Sequence, residues 1–156
     1  LFEKNKIATV IKHVPGHGPS KVDSHKKLPV IKESKKSLMK KDFSAFKSSK
    51  SLFAMTSHGL YESIDSKNPA THSKILLSSI VRKYIGFQGI LISDDISMKA
   101  LQFSLKQNSI KALNAGCNLV LHCNGKMNEM SQLVEYIPVI DKFTQKKTSQ
   151  FYKFLG

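Results

Sequence analysis

Gly89-Ile90-Leu91-Ile92-Ser93-Asp94-Asp95 is an apolar run of strand length that ends abruptly in two carboxylates. Branched aliphatic side chains over 89–92, with a glycine in front, read as a strand buried on both faces. Three further short runs have the same form, at residues 7–11, 52–55 and 118–121. Each leads into polar chemistry: Lys12-His13, Thr56-Ser57-His58 and His122-Cys123-Asn124. The opposite ends of the runs carry no such clusters. With helical patterns between them, the runs predict an α/β fold: about four parallel strands alternating with helices. In such folds, binding groups gather beyond the carboxyl ends of the strands. The asymmetry therefore predicts one shared rim.

Between the strands the period becomes helical. Around Ser37 to Ser48, the residues Leu38, Met39, Phe43 and Phe46 predict one amphipathic helix. Thr71 is placed to cap a second, with Ile75, Leu76, Ile80 and Val81 on its buried side and Gly86 just past its end. Residues 104–115 predict a third, apolar at Leu105, Ile110 and Leu113 and stopped by Gly116. Met130, Leu133, Val134 and Ile137 mark a fourth, interrupted by Pro138. Residues 7–140 thus read as strand–helix units of one domain spanning 1–156. Residues 141–156 read as a lysine-rich tail, solvated and poorly packed over 142–147.

At 156 residues the chain can bury a real core, and 40% apolar content is ordinary for a globular protein. The charge is not ordinary: 25 Lys+Arg face 11 Asp+Glu, a formal +14. Such a field attracts nucleic acid, anionic lipid or acidic substrates. The basic residues are nearly all lysines, scattered rather than grouped as arginine-rich reading elements, so a lysine-biased composition is the simpler cause. A basic polyanion-binding module stays the minority reading. Cys117 and Cys123 flank a strand and would stand roughly 20 Å apart at about 3.3 Å per residue. A disulfide needs Cα atoms within about 7 Å, so the thiols are expected to be reduced. No apolar run approaches the ~20 residues of a membrane span.

Lys12-His13-Val14-Pro15-Gly16-His17-Gly18 opens a loop that closes on Asp23-Ser24-His25. Pro15, Gly16 and Gly18 break regular structure, so the loop serves to place side chains. It sets an imidazole two residues from a carboxylate, beside a second basic cluster. Asp94 or Asp95 adds a distant carboxylate, and the set fits acid/base chemistry with a nucleophile. Strand neighbours point to opposite faces, so only one of the two aspartates faces the rim centre. The main rival is a metal-dependent hydrolase using His13, His17, Asp23 and His25. Pro15-Gly16 between His13 and His17 denies them the one-face helix geometry of an H-E-x-x-H zinc site. His17 reads most simply as a loop hydrogen-bonder, His72 as a surface residue at a helix start, and Met98 as packing beneath its loop. His58 and His122 end strands without an assigned role. Lys35-Lys36 and Lys40-Lys41 read as a solvated helix face.

Together, residues 12–18, Asp23-Ser24-His25, Asn68-Pro69-Ala70-Thr71 and Ser93-Asp94-Asp95-Ile96-Ser97-Met98 closely resemble glycoside hydrolase family 3, in its β-N-acetylhexosaminidase, peptidoglycan-recycling branch. Order, loop length and strand context agree from about residue 7 to 125. Val14 stands where the family usually has an aromatic residue, Ile96 where leucine is usual, and Pro19 where a polar residue is common. The resemblance implies a (β/α)₈ TIM barrel, of which this chain would be the C-terminal half. Leu1-Phe2-Glu3-Lys4-Asn5 reads as the tail of a helix already under way, consistent with a missing N-terminal half. Such a piece would leave two sheet edges unpaired and an apolar face open. It is expected to be inactive alone.

By the same resemblance, Asp94 is the nucleophile of a retaining exo-β-N-acetylglucosaminidase, and His25 its acid/base, oriented by Asp23. Lys12 and His13 would donate hydrogen bonds to sugar hydroxyls. No cofactor or metal is implied. The expected partner is an N-acetylglucosamine-containing carbohydrate such as a muropeptide, with no specific nucleic acid and no membrane. The complete protein is expected to be a cytoplasmic monomer. A β-glucosidase of the family generally lacks the Asp-x-His dyad, which favours the hexosaminidase branch. A histidine acid/base does not repel phosphate, so phosphorolysis stays open beside hydrolysis.

Overall fold

The computed structural model describes residues 2–18, 20 and 22–156. The readings placed on Leu1 and Pro19 lie outside these. A 3₁₀ turn at Glu3–Asn5 leads into β1 (Val10–Val14), β2 (Val30–Ile31) and α1 (Lys35–Lys40). After a 3₁₀ turn at Phe43–Phe46 come β3 (Phe53–Thr56) and β4 (Leu60–Tyr61). A third such turn, Ala70–His72, precedes a π-helix, Leu76–Tyr84, and then β5 (Ile90–Asp95). The chain finishes with α2 (Leu105–Ala115), β6 (Leu119–Leu121), α3 (Met127–Tyr136) and α4 (Lys142–Leu155). The main sheet has the order β1-β3-β5-β6 with every pair parallel, which is the predicted α/β arrangement.

All four predicted strands form, displaced toward the C-terminus. The first starts at Val10 rather than Ile7, because the Ile7 amide instead donates to Phe2 O at 3.0 Å and closes a local turn. The third runs on through Asp94 and Asp95, because Asp95 pairs with Leu121 across the β5–β6 ladder. Both shifts carry the polar ends of the runs into the strands themselves. A small second sheet, β2 parallel to β4, has no counterpart among the predicted strands. Two-residue strands are too short to show a period.

The single helix expected around residues 37–48 is instead α1 plus the 3₁₀ turn Phe43–Phe46. Leu38 and Phe43 are nevertheless fully buried. Thr71 does not cap the next helix. Ser73 does so, its Oγ accepting from Leu76 N at 3.2 Å, while Thr71 is buried in the preceding turn. Ile75, expected inside, is exposed, and Leu77 takes its place beside Leu76, Ile80 and Val81. Gly86 follows that helix at φ +78°, a conformation open to glycine. On α2 the buried positions are Asn108, Ser109, Ala112 and Ala115, whereas Leu105, Ile110 and Leu113 are half-buried. The small residues let this helix approach closely. Met130 and Val134 of α3 are exposed, and Leu133 is buried.

Residues 141–156 are not a loose tail. Asp141 caps α4 by accepting from Thr144 N at 2.6 Å. Thr144 is buried and accepts from Asn118 Nδ2 at 3.0 Å, while Phe151 meets Phe53 edge-on at 5.1 Å. These contacts lay α4 across the amino ends of β3 and β6. Asn118 Oδ1 also accepts from Leu91 N and from Arg82 Nη2, both at 2.9 Å. Arg82, the single arginine of the chain, further donates to the carbonyls of Phe87 and Gly89 at 3.0 and 2.7 Å. One guanidinium thus joins the π-helix to the entry of β5 and to β6. No helix of the described residues is long and apolar enough to cross a membrane.

Candidate active site

Lys12, His13, His17, Val22, Asp23, Ser24, His25 and Asp94 line one cavity of about 340 Å³ at the carboxyl ends of β1 and β5. All five residues singled out in the sequence analysis for catalysis or substrate binding are among them. Lys12 and His13 belong to β1, Asp94 to β5, and Asp23 and His25 to the long loop after β1. That loop is tied down at its start. Tyr61 donates its buried hydroxyl to Gly16 O, and Gly16 N donates back to His13 O at 2.8 Å. Burial raises the Tyr61 hydroxyl pKa strongly, so it stays a donor.

Asp23 and His25 meet because the chain turns on itself between them. Asp23 Oδ1 accepts from His25 N at 3.0 Å and lies 2.9 Å from His25 Nδ1. These backbone and side-chain hydrogen bonds hold the Asp23 carboxyl below its usual range. An ionised carboxylate only accepts, so Nδ1 carries the hydrogen of that bond. Nε2 is then the ring atom free to exchange a proton. The pair is exposed, as a group that must meet a substrate can be.

The two aspartates of β5 divide as strand alternation requires. Asp95 is occupied by structure: its Oδ1 accepts from Ser97 N at 3.0 Å and Cys123 N at 3.2 Å. Its Oδ2 accepts from Ser97 Oγ at 2.7 Å, and its backbone carbonyl from His58 Nε2 at 3.0 Å. Asp94 faces the cavity. Its Oδ1 accepts from Asp95 N at 2.9 Å, and its Oδ2 lies 3.6 Å from His13 Nε2, beyond hydrogen-bond range. Burial lowers the His13 pKa despite the neighbouring Asp94, which favours the neutral ring.

The remaining histidines are placed differently from their sequence reading. His17 lines the cavity and meets His13 edge-on at 5.4 Å, rather than serving only the loop. His58 is fully buried under the rim. Its Nε2 donates to Asp95 O, so in the neutral ring Nδ1 accepts from Thr71 Oγ1 at 2.8 Å, and Thr56 Oγ1 donates on to Thr71 at 2.8 Å. This buried chain locks β3, the Ala70–His72 turn and the end of β5 together. His72, expected on the surface, is buried beside Phe103. His122 contacts Glu129 Oε2 at 2.8 Å, where Asn124 and Lys126 also converge. Hydrogen bonds from Asn124, His122 and Lys126 push the Glu129 carboxyl down to about 2. Met98 packs beneath its loop as expected. Cys117 is buried and Cys123 exposed, both unbridged. Among the described residues no group of three or more His, Cys, Asp or Glu side chains is arranged to hold a metal ion.

One rim of the parallel sheet thus carries a histidine–aspartate pair and a separate strand-end carboxylate. Residues 2–149 match the glycosyl hydrolase family 3 N terminal domain, and the chain belongs to that family. It is 40% identical over 124 residues to the beta-hexosaminidase of Haemophilus influenzae, covering 76% of this chain and 35% of that protein. It is 36% identical over 136 residues to the beta-hexosaminidase of Shewanella frigidimarina, covering 83% of this chain and 40% of the relative. The chain therefore spans about 40% of the length of curated relatives it matches. Among solved structures, NagZ from Neisseria gonorrhoeae in complex with N-trifluoroacetyl-D-glucosamine superposes with a TM-score of 0.81 at 28% identity, over 97% of this chain and 43% of that one. The solved relatives of this fold are family 3 barrel domains, as the sequence analysis expected.

Proposed function

We propose that this chain carries the catalytic rim of a β-N-acetylhexosaminidase that removes terminal β-linked N-acetylglucosamine, with fragments of peptidoglycan turnover as its substrates and the cytoplasm as its setting. The observation that carries the reading is the shared cavity: Asp94 and the Asp23–His25 pair open onto the same 340 Å³ space. Asp94 Oδ2, which accepts no hydrogen bond among the described residues, attacks the anomeric carbon. His25 Nε2 protonates the leaving oxygen. Water, deprotonated by the same nitrogen, then cleaves the glycosyl ester, and the two displacements restore the starting configuration. Asp23 keeps the His25 ring oriented through Nδ1. Lys12 and His13, on the wall beside Asp94, bind sugar hydroxyls.

The test is release of phenol from an aryl N-acetyl-β-glucosaminide by the protein that carries these residues. Asp94→Ala should abolish release and His25→Ala should reduce it sharply. The first-formed sugar, followed by NMR, should be the β-anomer. Full activity in the Asp94→Ala protein, or inversion of the anomer, would end this assignment. Formation of a sugar phosphate in phosphate buffer would move it to phosphorolysis.

A further inference from the structure

We propose that His58, which carries no role in the sequence reading, is a positioning residue for Asp94, acting through the peptide groups of Asp95. The inference rests on Asp94 being the nucleophile and goes beyond it, to what aims that carboxylate. The end of β5 is irregular. Ile92 pairs with Leu119 but Asp95 with Leu121, so three steps along β5 match two along β6. An extra residue of this kind bends a strand, and such bulges re-aim side chains beside active sites. Here the bulge falls on Ser93-Asp94, and side chains stand in for the broken ladder. Ser93 is fully buried and its Oγ accepts from Leu121 N at 2.9 Å, while Asp95 Oδ1 accepts from Cys123 N at 3.2 Å.

A disrupted ladder no longer fixes the bulged residues, so other groups must. His58 holds them from the side of β3, its Nε2 donating to Asp95 O at 3.0 Å. The ring is fully buried and backed by Thr71 Oγ1, 2.8 Å from Nδ1. Burial lowers its pKa, which favours the neutral ring with its one hydrogen on Nε2. Asp95 is thus held at its carbonyl by His58 and at its carboxylate by Ser97 and Cys123. Its amide is left in a fixed place, where it donates to Asp94 Oδ1 at 2.9 Å and leaves Oδ2 on the His13 side of the cavity. Without the His58 donor the buried Asp95 carbonyl is unpaired, which favours rotation of the peptide toward water. A misplacement of about 1 Å at a reacting group can cost about a hundredfold in rate.

The test uses the protein that carries these residues and a ring-fluorinated N-acetylglucosaminyl fluoride. Attack forms the bond from an Asp94 carboxylate oxygen to the anomeric carbon and breaks the bond to fluoride, which leaves without a proton from His25. The ring fluorine slows hydrolysis of the resulting ester, so the rate of trapping, followed by mass spectrometry, reports the aim of Asp94. His58→Leu should slow trapping by about tenfold to a hundredfold, with competitive inhibition by N-acetylglucosamine unchanged. His58→Gln, whose amide can still donate to Asp95 O, should recover most of the rate. Ser93→Ala and Thr71→Val should slow trapping in the same way, and they decide the matter if His58→Leu does not fold. A purely structural role would lower the urea midpoint and leave trapping by the folded variants at the wild-type rate, and that result overturns the proposal. A His58→Gln protein as slow as His58→Leu overturns it too. Wild-type label on a residue other than Asp94 would overturn the nucleophile assignment and this proposal with it, whereas label on Asp94 at an unchanged rate in the variants removes the positioning role alone.

Discussion

Lowering the pH should destabilise this domain through His72, and the size of the effect follows from its burial. The ring is 8% exposed, lies beside Phe103, and its Nε2 has no partner among the described residues. Burial pushes its pKa from 6.5 down to about 4. The unfolded chain therefore binds a proton that the folded chain refuses, and stability falls as pH falls. The contribution is fully present above pH 6.5 and is lost progressively as pH drops through 4. The whole shift corresponds to about 3 kcal/mol at 1.36 kcal/mol per unit, of which about 2 kcal/mol is gone by pH 5. With a urea m-value of about 2 kcal/mol/M, the midpoint should drop by roughly 1 M between pH 7.5 and pH 5 from this residue alone. His58, also buried and lowered by desolvation, acts in the same direction. The assay is urea unfolding, followed by circular dichroism, of the wild type and of His72→Leu at both values. The variant should lose markedly less stability on acidification. Equal losses in the two proteins would refute the reasoning.

Three further outcomes follow from the packing. Tyr61→Phe removes the buried donor to Gly16 O and should cost about 1–3 kcal/mol, read as a lower urea midpoint with an unchanged slope. Ser104→Ala dismantles a capping box in which Ser104 Oγ accepts from Gln107 N at 3.3 Å and Gln107 Oε1 accepts from Ser104 N at 3.2 Å. Its cost, measured the same way, should be about 1 kcal/mol. Gly89→Ala sets a methyl group against the backbone carbonyl of Leu52 and 2.6 Å from the Phe87 ring, and should destabilise by about 1–3 kcal/mol or block folding. A Gly89→Ala protein as stable as the wild type would show that β3 and β5 are not spaced as described.

How much of this could be read beforehand depends on how local each feature is. The Asp23–His25 contact spans two residues, so the loop sequence already contains its turn. The cap at Ser104 and the stop at Gly116 are local in the same way. The buried face of α2 is not legible in the sequence, because it consists of Asn108, Ser109, Ala112 and Ala115, which no hydrophobic period marks. The burial of His72 is not legible locally, because its surroundings include Phe103, thirty-one residues away in the chain. The lysines of residues 142–147 concealed a helix whose anchors are one threonine and one phenylalanine.

By itself, the sequence determined the parallel alternation of strands and helices, the family motifs and the chemistry at the strand ends. Those are properties of spacing and side-chain type, carried within segments of a few residues. Tertiary structure decided which groups meet. It turned Asp94 to the cavity and Asp95 into hydrogen bonds with Ser97 and Cys123. It sank His58 beneath the rim and brought His17 into the cavity. It also used one arginine to join three elements. Each of those depends on contacts between residues far apart in the chain, and a contact of that kind exists only once the sheet has closed its ladders.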